Sequence, residues 1–190
     1  MTLIRSSMMA LAFASVVGVA SRGASAQSEQ SQSERLQPAE VKQMLSSRPY
    51  RFVGGETQRQ AVHDAIERAV APMNFIERPI ARGRLRDRNR VEDSLAFRFQ
   101  PGTVSVVLGG HELQSPDNFA PAPGRAITGE AMQVRQRLVG DRVVQSLRTG
   151  EGERRDEFAV SPDGRRVTMR VTVHSPKLRA PMQYSLDYAR

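Results

Sequence analysis

The sequence predicts an α+β, mainly β domain: an N-terminal amphipathic helical unit followed by an antiparallel meander of about eight strands forming a barrel or half-barrel. Three observations predict it. Apolar residues recur at helical intervals between Thr57 and Ala71. From about Ser94 to the C-terminus the apolar period changes to two. Glycine, proline and aspartate also punctuate the second half at short spacings, as tight turns between neighbouring strands require.

The helical elements come first. Pro38 to Leu45 predicts a short helix with proline in its first turn, where the missing N–H costs nothing. After Gly54-Gly55, Thr57 and Gln60 have capping-box spacing. Ala61, Val62, Ala65, Ile66, Ala69 and Val70 then form one apolar stripe, opposed by Arg59, His63, Asp64 and Glu67. Pro72 removes a backbone donor and ends or kinks this helix. Met73, Ile76 and Ile80 continue the period into a second, kinked segment.

The strands follow. Leu95, Phe97 and Phe99 alternate with polar neighbours, and Val104 and Val106 follow the Pro101-Gly102 turn. Gly109-Gly110 and the proline-rich stretch Ser115 to Gly124 interrupt the pattern. Met132, Val134 and Leu138 resume it, Gly140-Asp141 turns into Val143 and Leu147, and Gly150 and Gly152 turn into Phe158 and Val160. Ser161-Pro162-Asp163-Gly164 is a tight-turn signature, because proline presets one dihedral and glycine accepts a positive φ. Val167, Met169, Val171 and Val173 form the next strand, and Met182, Tyr184, Leu186 and Tyr188 the last.

Residues 1–26 read as a cleavable secretory signal. Arg5 supplies the positive start, Met8 to Ala20 an apolar run too short to span a bilayer, and Ala24-Ser25-Ala26 the small residues of a cleavage site. Residues 27–36 are glutamine, serine and glutamate with little to bury, and read as a flexible leader. Residues 37–190 form the single helix-plus-meander domain. The signal holds two of the 28 basic residues and no acid, so the remainder carries +6. The absence of cysteine excludes thiol chemistry, cysteine metal sites and a lipid-modified cysteine after the signal. A periplasmic or secreted protein with no transmembrane segment after cleavage is the consistent expectation.

The motifs for chemistry are sparse. His63, His111 and His174 have no metal-ligand partner at a recognised spacing. No nucleophile elbow or glycine-rich phosphate loop occurs. The carboxylate neighbours Glu92-Asp93 and Asp156-Glu157 read as solubilising. No catalytic residue, metal or cofactor is therefore assigned, and an enzyme is not expected. Arg78, Arg82, Arg86 and Arg90 belong to a run of six arginines within 13 residues. In a helix, Arg78, Arg82 and Arg86 share one face, which is either a salt-bridged, solvated surface or a contact for an anionic one. Interleaved acids, the lack of stacking aromatics and export argue against nucleic acid.

Gln136 and Gln145 fall where the alternation places apolar side chains, and Tyr184 puts a hydroxyl on the same face as Met182 and Leu186. Two packings are open. One is a filled core whose polar tips reach the rim. The other is a cavity for a small apolar ligand, with Gln136, Gln145 and Tyr184 as polar handles and Met169 on the wall.

The segment Ser161 to Val167 looks like the strand-turn-strand signature of β-propeller repeats, but propellers need that unit several times and it occurs once here. The same turn is common in small exported bacterial lipocalin-like β-barrel proteins, which Ser94 to Arg190 resembles in pattern, with the turn alone matching as a motif. The resemblance implies a β-barrel with room for an apolar cavity. A helical unit ahead of the barrel departs from the lipocalin order and leaves closure open.

Two functions follow as expectations: a non-enzymatic protein binding a small apolar ligand in the barrel, or an envelope interaction or assembly module that uses its surface and the arginine segment. Processing is directly testable. N-terminal sequencing of protein isolated from its own host should begin at Gln27, in the soluble fraction. An uncut, membrane-bound chain retaining Met8 to Ala20 would contradict the reading.

Overall fold

The structure, a computed structural model, describes residues 37–190; the expected signal and leader lie outside the described residues. The chain order is α1 (Pro38–Ser46), β1 (Tyr50–Phe52), α2 (Gly55–Val70), α3 (Glu77–Arg88), β2 (Ser94–Gln100), β3 (Thr103–Leu108), β4 (His111–Pro116), β5 (Ala122–Arg125), β6 (Ala131–Val139), β7 (Arg142–Thr149), β8 (Gly152–Val160), β9 (Arg166–His174) and β10 (Met182–Ala189). One ten-stranded sheet results, ordered β4-β3-β2-β1-β10-β9-β8-β7-β6-β5, with every pair antiparallel.

The sheet curls until its two edges meet. β4 and its opposite edge share side-chain-to-backbone bonds: His111 Nε2 lies 2.9 Å from the Arg125 carbonyl on β5, and Gln136 Nε2 donates to the Leu113 carbonyl at 3.1 Å. The result is a nearly closed barrel whose apolar face is inward. Leu95, Phe97, Val143, Phe158, Met169 and Leu186 are among its buried residues.

Ten strands form where about eight were expected, and three of them have no counterpart in the sequence pattern. β1 is too short for an alternation to register. β4 ends in Pro116 and β5 contains Pro123-Gly124, within the stretch read as an interruption. Both are the edge strands, where ladder bonds are needed on one side only and proline is tolerated. The helical unit also does not wholly precede the sheet. β1 comes before α2 and pairs with both β10 and β2, so α2 and α3 form a hairpin inserted between neighbouring strands.

The expected capping box at Thr57 and Gln60 does not form; the cap lies three residues earlier, at Gly54, and α2 starts at Gly55. Gln58 sets that start. Its side chain folds over Gly54, where a Cβ would lie only 1.8 Å from Oε1, and reaches β10. There it accepts from the Asp187 N–H at 2.8 Å and donates to Asp187 Oδ2 at 2.6 Å. α2 ends at Val70, ahead of Pro72, and Asn74 Oδ1 caps α3 by accepting from the Ile76 and Glu77 N–H groups.

The helices close opposite ends of the barrel. α1 sends Val41 and Leu45 into the core beside the β8–β9 turn. Tyr50 Oη donates to the Gly164 carbonyl of that turn at 3.0 Å, and Arg190 lies over the Tyr50 ring and donates to the Met44 carbonyl. Gly164 has φ 66° and no room for a Cβ against Met44, so the turn glycine serves both conformation and packing. α3 covers the other end, where β7 turns into β8. α2 contributes Val62, Ala65 and Ile66 to the same core.

Ile66 is 2 % exposed. Ile66→Asp places an unpaired carboxylate against that core and should cost on the order of 3–5 kcal/mol in chemical denaturation. An unchanged midpoint would show that α2 does not pack as described.

Candidate functional site: a roofed cavity in the barrel

The barrel is filled at the α1 end and open inside at the α3 end. At the filled end Phe97 meets Tyr50 and Phe158 edge-on, at 6.4 and 5.3 Å between ring centroids. At the other end lies a cavity of about 640 Å³. Its walls include Val106, Leu108, Leu113, Met132, Leu147 and Val173, and its roof includes Ile80 and Leu85 of α3. Leu108, Leu113, Leu147 and Val173 share the inward parity of buried neighbours yet are only half-buried, because they face this space.

A polar row crosses the interior below it. Antiparallel register puts Gln136, Gln145, Asp156, Val171 and Tyr184 side by side on β6, β7, β8, β9 and β10. Gln136 Nε2 donates to Gln145 Oε1 at 2.6 Å, and Gln145 Nε2 donates to Asp156 Oδ2 at 3.0 Å. Asp156 Oδ1 accepts from Arg154 Nε at 2.8 Å, and Arg154 Nη1 donates to the Arg88 carbonyl at the end of α3, also at 2.8 Å. The two amides therefore satisfy each other and pass the chain of bonds to a buried ion pair. Tyr184 takes a different partner, Asn89 Oδ1, at 3.1 Å, while Asn89 Nδ2 donates to the Leu85 carbonyl. Tyr188 Oη donates to the Glu92 carbonyl. The C-terminal end of α3 is thus bound to the barrel from within.

Of the four expected ligand contacts, Gln145 lines the cavity. Gln136 lies beside it in the row, and Tyr184 is occupied by Asn89. Met169 is fully buried in the filled part, in register with Leu186 and Phe158. Two residues that sequence reasoning passed over, Arg154 and Asp156, also line the cavity. Asp156, read as solubilising, is fully buried. The signal for both was present: Phe158 and Val160 point inward, and parity along β8 puts Asp156 and Arg154 on the same face.

The arginine segment is largely engaged within the molecule. Arg78 donates to the Ala71 and Met73 carbonyls at the end of α2. Arg82 and Arg86 pair with Glu67 of α2, and Arg90 lies 3.6 Å from Asp87. Arg84 and Arg88, outside the expected stripe, cross to the opposite rim. Arg84 meets Glu151 at 2.7 Å, and Arg88 meets both Glu151 at 2.7 Å and Glu130 at 2.5 Å. Burial would raise the Glu151 carboxyl, but the Arg88 hydrogen bond and the charges of Arg88 and Arg84 hold it below its ordinary value. These contacts seat the roof on the β5–β6 and β7–β8 connections.

Burial would lower the Arg154 pKa, but the Asp156 charge and hydrogen bond, together with Tyr184 and Tyr188, more than reverse this and raise it. Burial pushes Tyr184 up to about 12, against the opposing charge of Arg154. Tyr188 and Tyr50 are raised too, chiefly by burial, and these three are the chain's only tyrosines. All three raised phenols favour the fold while they keep their protons. Their contribution to stability should therefore be constant below about pH 10, where free tyrosine titrates, and should fall as pH rises from there, because the unfolded chain releases protons that the fold retains. An absorbance titration showing ordinary phenolate formation in the folded protein would contradict this placement.

No protein-family model matches the sequence, and no curated protein matches it in sequence. Solved structures do match in fold. A fatty acid-binding protein from Drosophila melanogaster brain tissue aligns with a TM-score of 0.50 at 7% identity, covering 77% of this chain and 99% of that one. A Schistosoma mansoni fatty acid-binding protein in complex with arachidonic acid aligns at 0.45 and 12% identity, covering 79% and 98%. A fatty-acid-binding protein from Manduca sexta aligns at 0.44 and 10% identity, covering 77% and 99%. At 7% identity the likeness to the first of these is one of fold alone, that of the lipocalin-like barrel the turn and alternation pointed to.

Proposed function

We propose that this chain is an exported, non-enzymatic binding protein that holds one small, largely apolar molecule beneath α3, with the molecule's polar end toward Gln145, Arg154 and Asp156. The cavity itself carries the reading. Its volume of about 640 Å³ lies in the range that small-molecule sites occupy, and its walls are mainly apolar with a few convergent polar groups. The fold of solved barrels named for binding fatty acids supports the same class of activity. Away from the buried bonds that hold its C-terminal end, the roof is seated by partly exposed ion pairs, which salt screens, so a guest can loosen that part without breaking a packed core.

A second reading, an envelope interaction module, has one observation in its favour. Phe75 and Ile76, at the turn between α2 and α3, are 84 % and 61 % exposed. On that reading, Phe75→Ser with Ile76→Ser would abolish capture of a protein partner and leave small-molecule binding intact.

The cavity reading is tested with Nile red, a neutral fluorescent apolar probe. It should bind with micromolar affinity or better, about −8 kcal/mol. Leu147→Trp fills the space from its wall and should abolish that binding while the protein still melts cooperatively. Organic extraction of protein isolated from its own host should release a matching small molecule. No probe binding and no extracted molecule would move the function to the protein surface.

A further inference from the structure

We infer that the cavity selects a ligand with a neutral oxygen head group, a hydroxyl, ester or ketone, rather than a carboxylate, because Asp156 already neutralises the one cation set in its floor. The inference rests on the cavity being a ligand site, as proposed above.

Arg154 is the interior group that would attract an acid. Its Nε is committed to Asp156, at 2.8 Å, and the carboxylate is held in place from its other oxygen by Gln145. Asp156 has a side chain only 1 % exposed, so water does not weaken the pairing. A carboxylate brought to Arg154 would add a third charge to a neutral pair. It would lose its own hydration, and Asp156 would repel it across a dry interior.

What remains free on Arg154 suits a neutral acceptor. A guanidinium carries five N–H groups, and the bonds to Asp156 and the Arg88 carbonyl use two of them. Nη2 has no acceptor among the described residues, and the side chain is 16 % exposed, on the cavity. Those N–H groups can donate to a ligand oxygen that brings no net charge.

The rest of the lining agrees. The chain as a whole carries +8, yet the residues around this cavity include five Arg or Lys and seven Asp or Glu side chains. The basic members Arg84 and Arg88 are paired with Glu130 and Glu151 on the rim. The lining therefore has no cationic excess to draw an anionic head group inside.

The test compares dodecanol, dodecanoate and dodecyltrimethylammonium in displacing Nile red from the full-length mature protein at pH 8. Dodecanol should bind at least about ten-fold more tightly than either ion, whose chains are the same length. Dodecanoate should gain affinity as pH falls and its own carboxylate takes up a proton. Asp156→Asn leaves Arg154 without its counter-charge and should raise the affinity for dodecanoate relative to dodecanol by about ten-fold or more. Arg154→Gln combined with Asp156→Asn removes both charges and should restore the preference for the alcohol.

Dodecanoate binding as tightly as dodecanol in the wild type would overturn the inference, and this comparison stands even if Asp156→Asn fails to fold. A folded Asp156→Asn protein that gains nothing for dodecanoate relative to dodecanol would overturn it too. Failure of Nile red and all three chains to bind overturns the cavity reading itself, a result distinct from binding with the wrong preference.

Discussion

A sheet of ten strands curled on itself encloses more space than its own inward side chains fill. Eight strands come close to filling their interior; each added strand widens it. This chain has ten aromatic residues and no tryptophan with which to fill the excess. At one end α1 makes up the deficit, inserting Val41 and Leu45 beside Tyr50 and the Phe97–Phe158 pair. At the other end no such plug is present among the described residues, and α3 spans the opening as a roof. The division between filled core and cavity follows from which helix enters the barrel and which lies across it.

The roof needs anchoring, and the buried polar row supplies it. A lone guanidinium in this interior would cost several kcal/mol, and Asp156 offsets that only because Gln145, itself held by Gln136, completes its hydrogen bonds. Such a pair adds little net stability over an apolar packing of equal volume. Its structural effect is positional: Arg154 fixes the Arg88 carbonyl, while Tyr184 and Tyr188 fix Asn89 and Glu92. The C-terminal end of α3 is held by bonds shielded from water. Its remaining ties, through Arg82, Arg84 and Arg86, are partly exposed ion pairs, each worth about 0–1 kcal/mol and sensitive to salt. The roof is therefore firm at one end and readily loosened along the rest of its length.

This division also explains what was legible in the sequence. The long strands β6, β9 and β10 alternate because each has one face in the barrel and one in solvent, and the Ser161–Gly164 turn has its own local chemistry. α2 was legible from its stripe, but its start was not, because Gln58 answers to Asp187, 129 residues away. β4 and β5 were hidden by prolines that only an edge position tolerates, and no local pattern says which strand is an edge. In the site, Gln136 and Gln145 stood out as amides among apolar neighbours. Arg154 and Asp156 did not, since charge is read as solvent-facing unless the parity of the whole strand is followed from Phe158 and Val160. Of the arginines, Arg82 and Arg86 meet Glu67, and Arg84 and Arg88 meet Glu130 and Glu151, partners set by tertiary packing.

The barrel constrains few residue identities: it asks for alternation, turns and strand number. Its chemistry is set separately, by the few inward positions that are not apolar. In this chain five of those positions form one connected set, running from Ser115 through Gln136, Gln145 and Asp156 to Arg154 and the backbone of α3. Because each member answers the next, a change at one is felt at the others: an apolar residue at Gln145 would leave both an amide of Gln136 and an oxygen of Asp156 without their partner. The set therefore does two things with the same bonds. It makes a polar floor tolerable inside an apolar barrel, and it fixes the end of the helix that roofs the space above that floor. Floor and roof are one hydrogen-bonded unit, so whatever the cavity holds meets a surface whose charge and geometry are settled before it arrives.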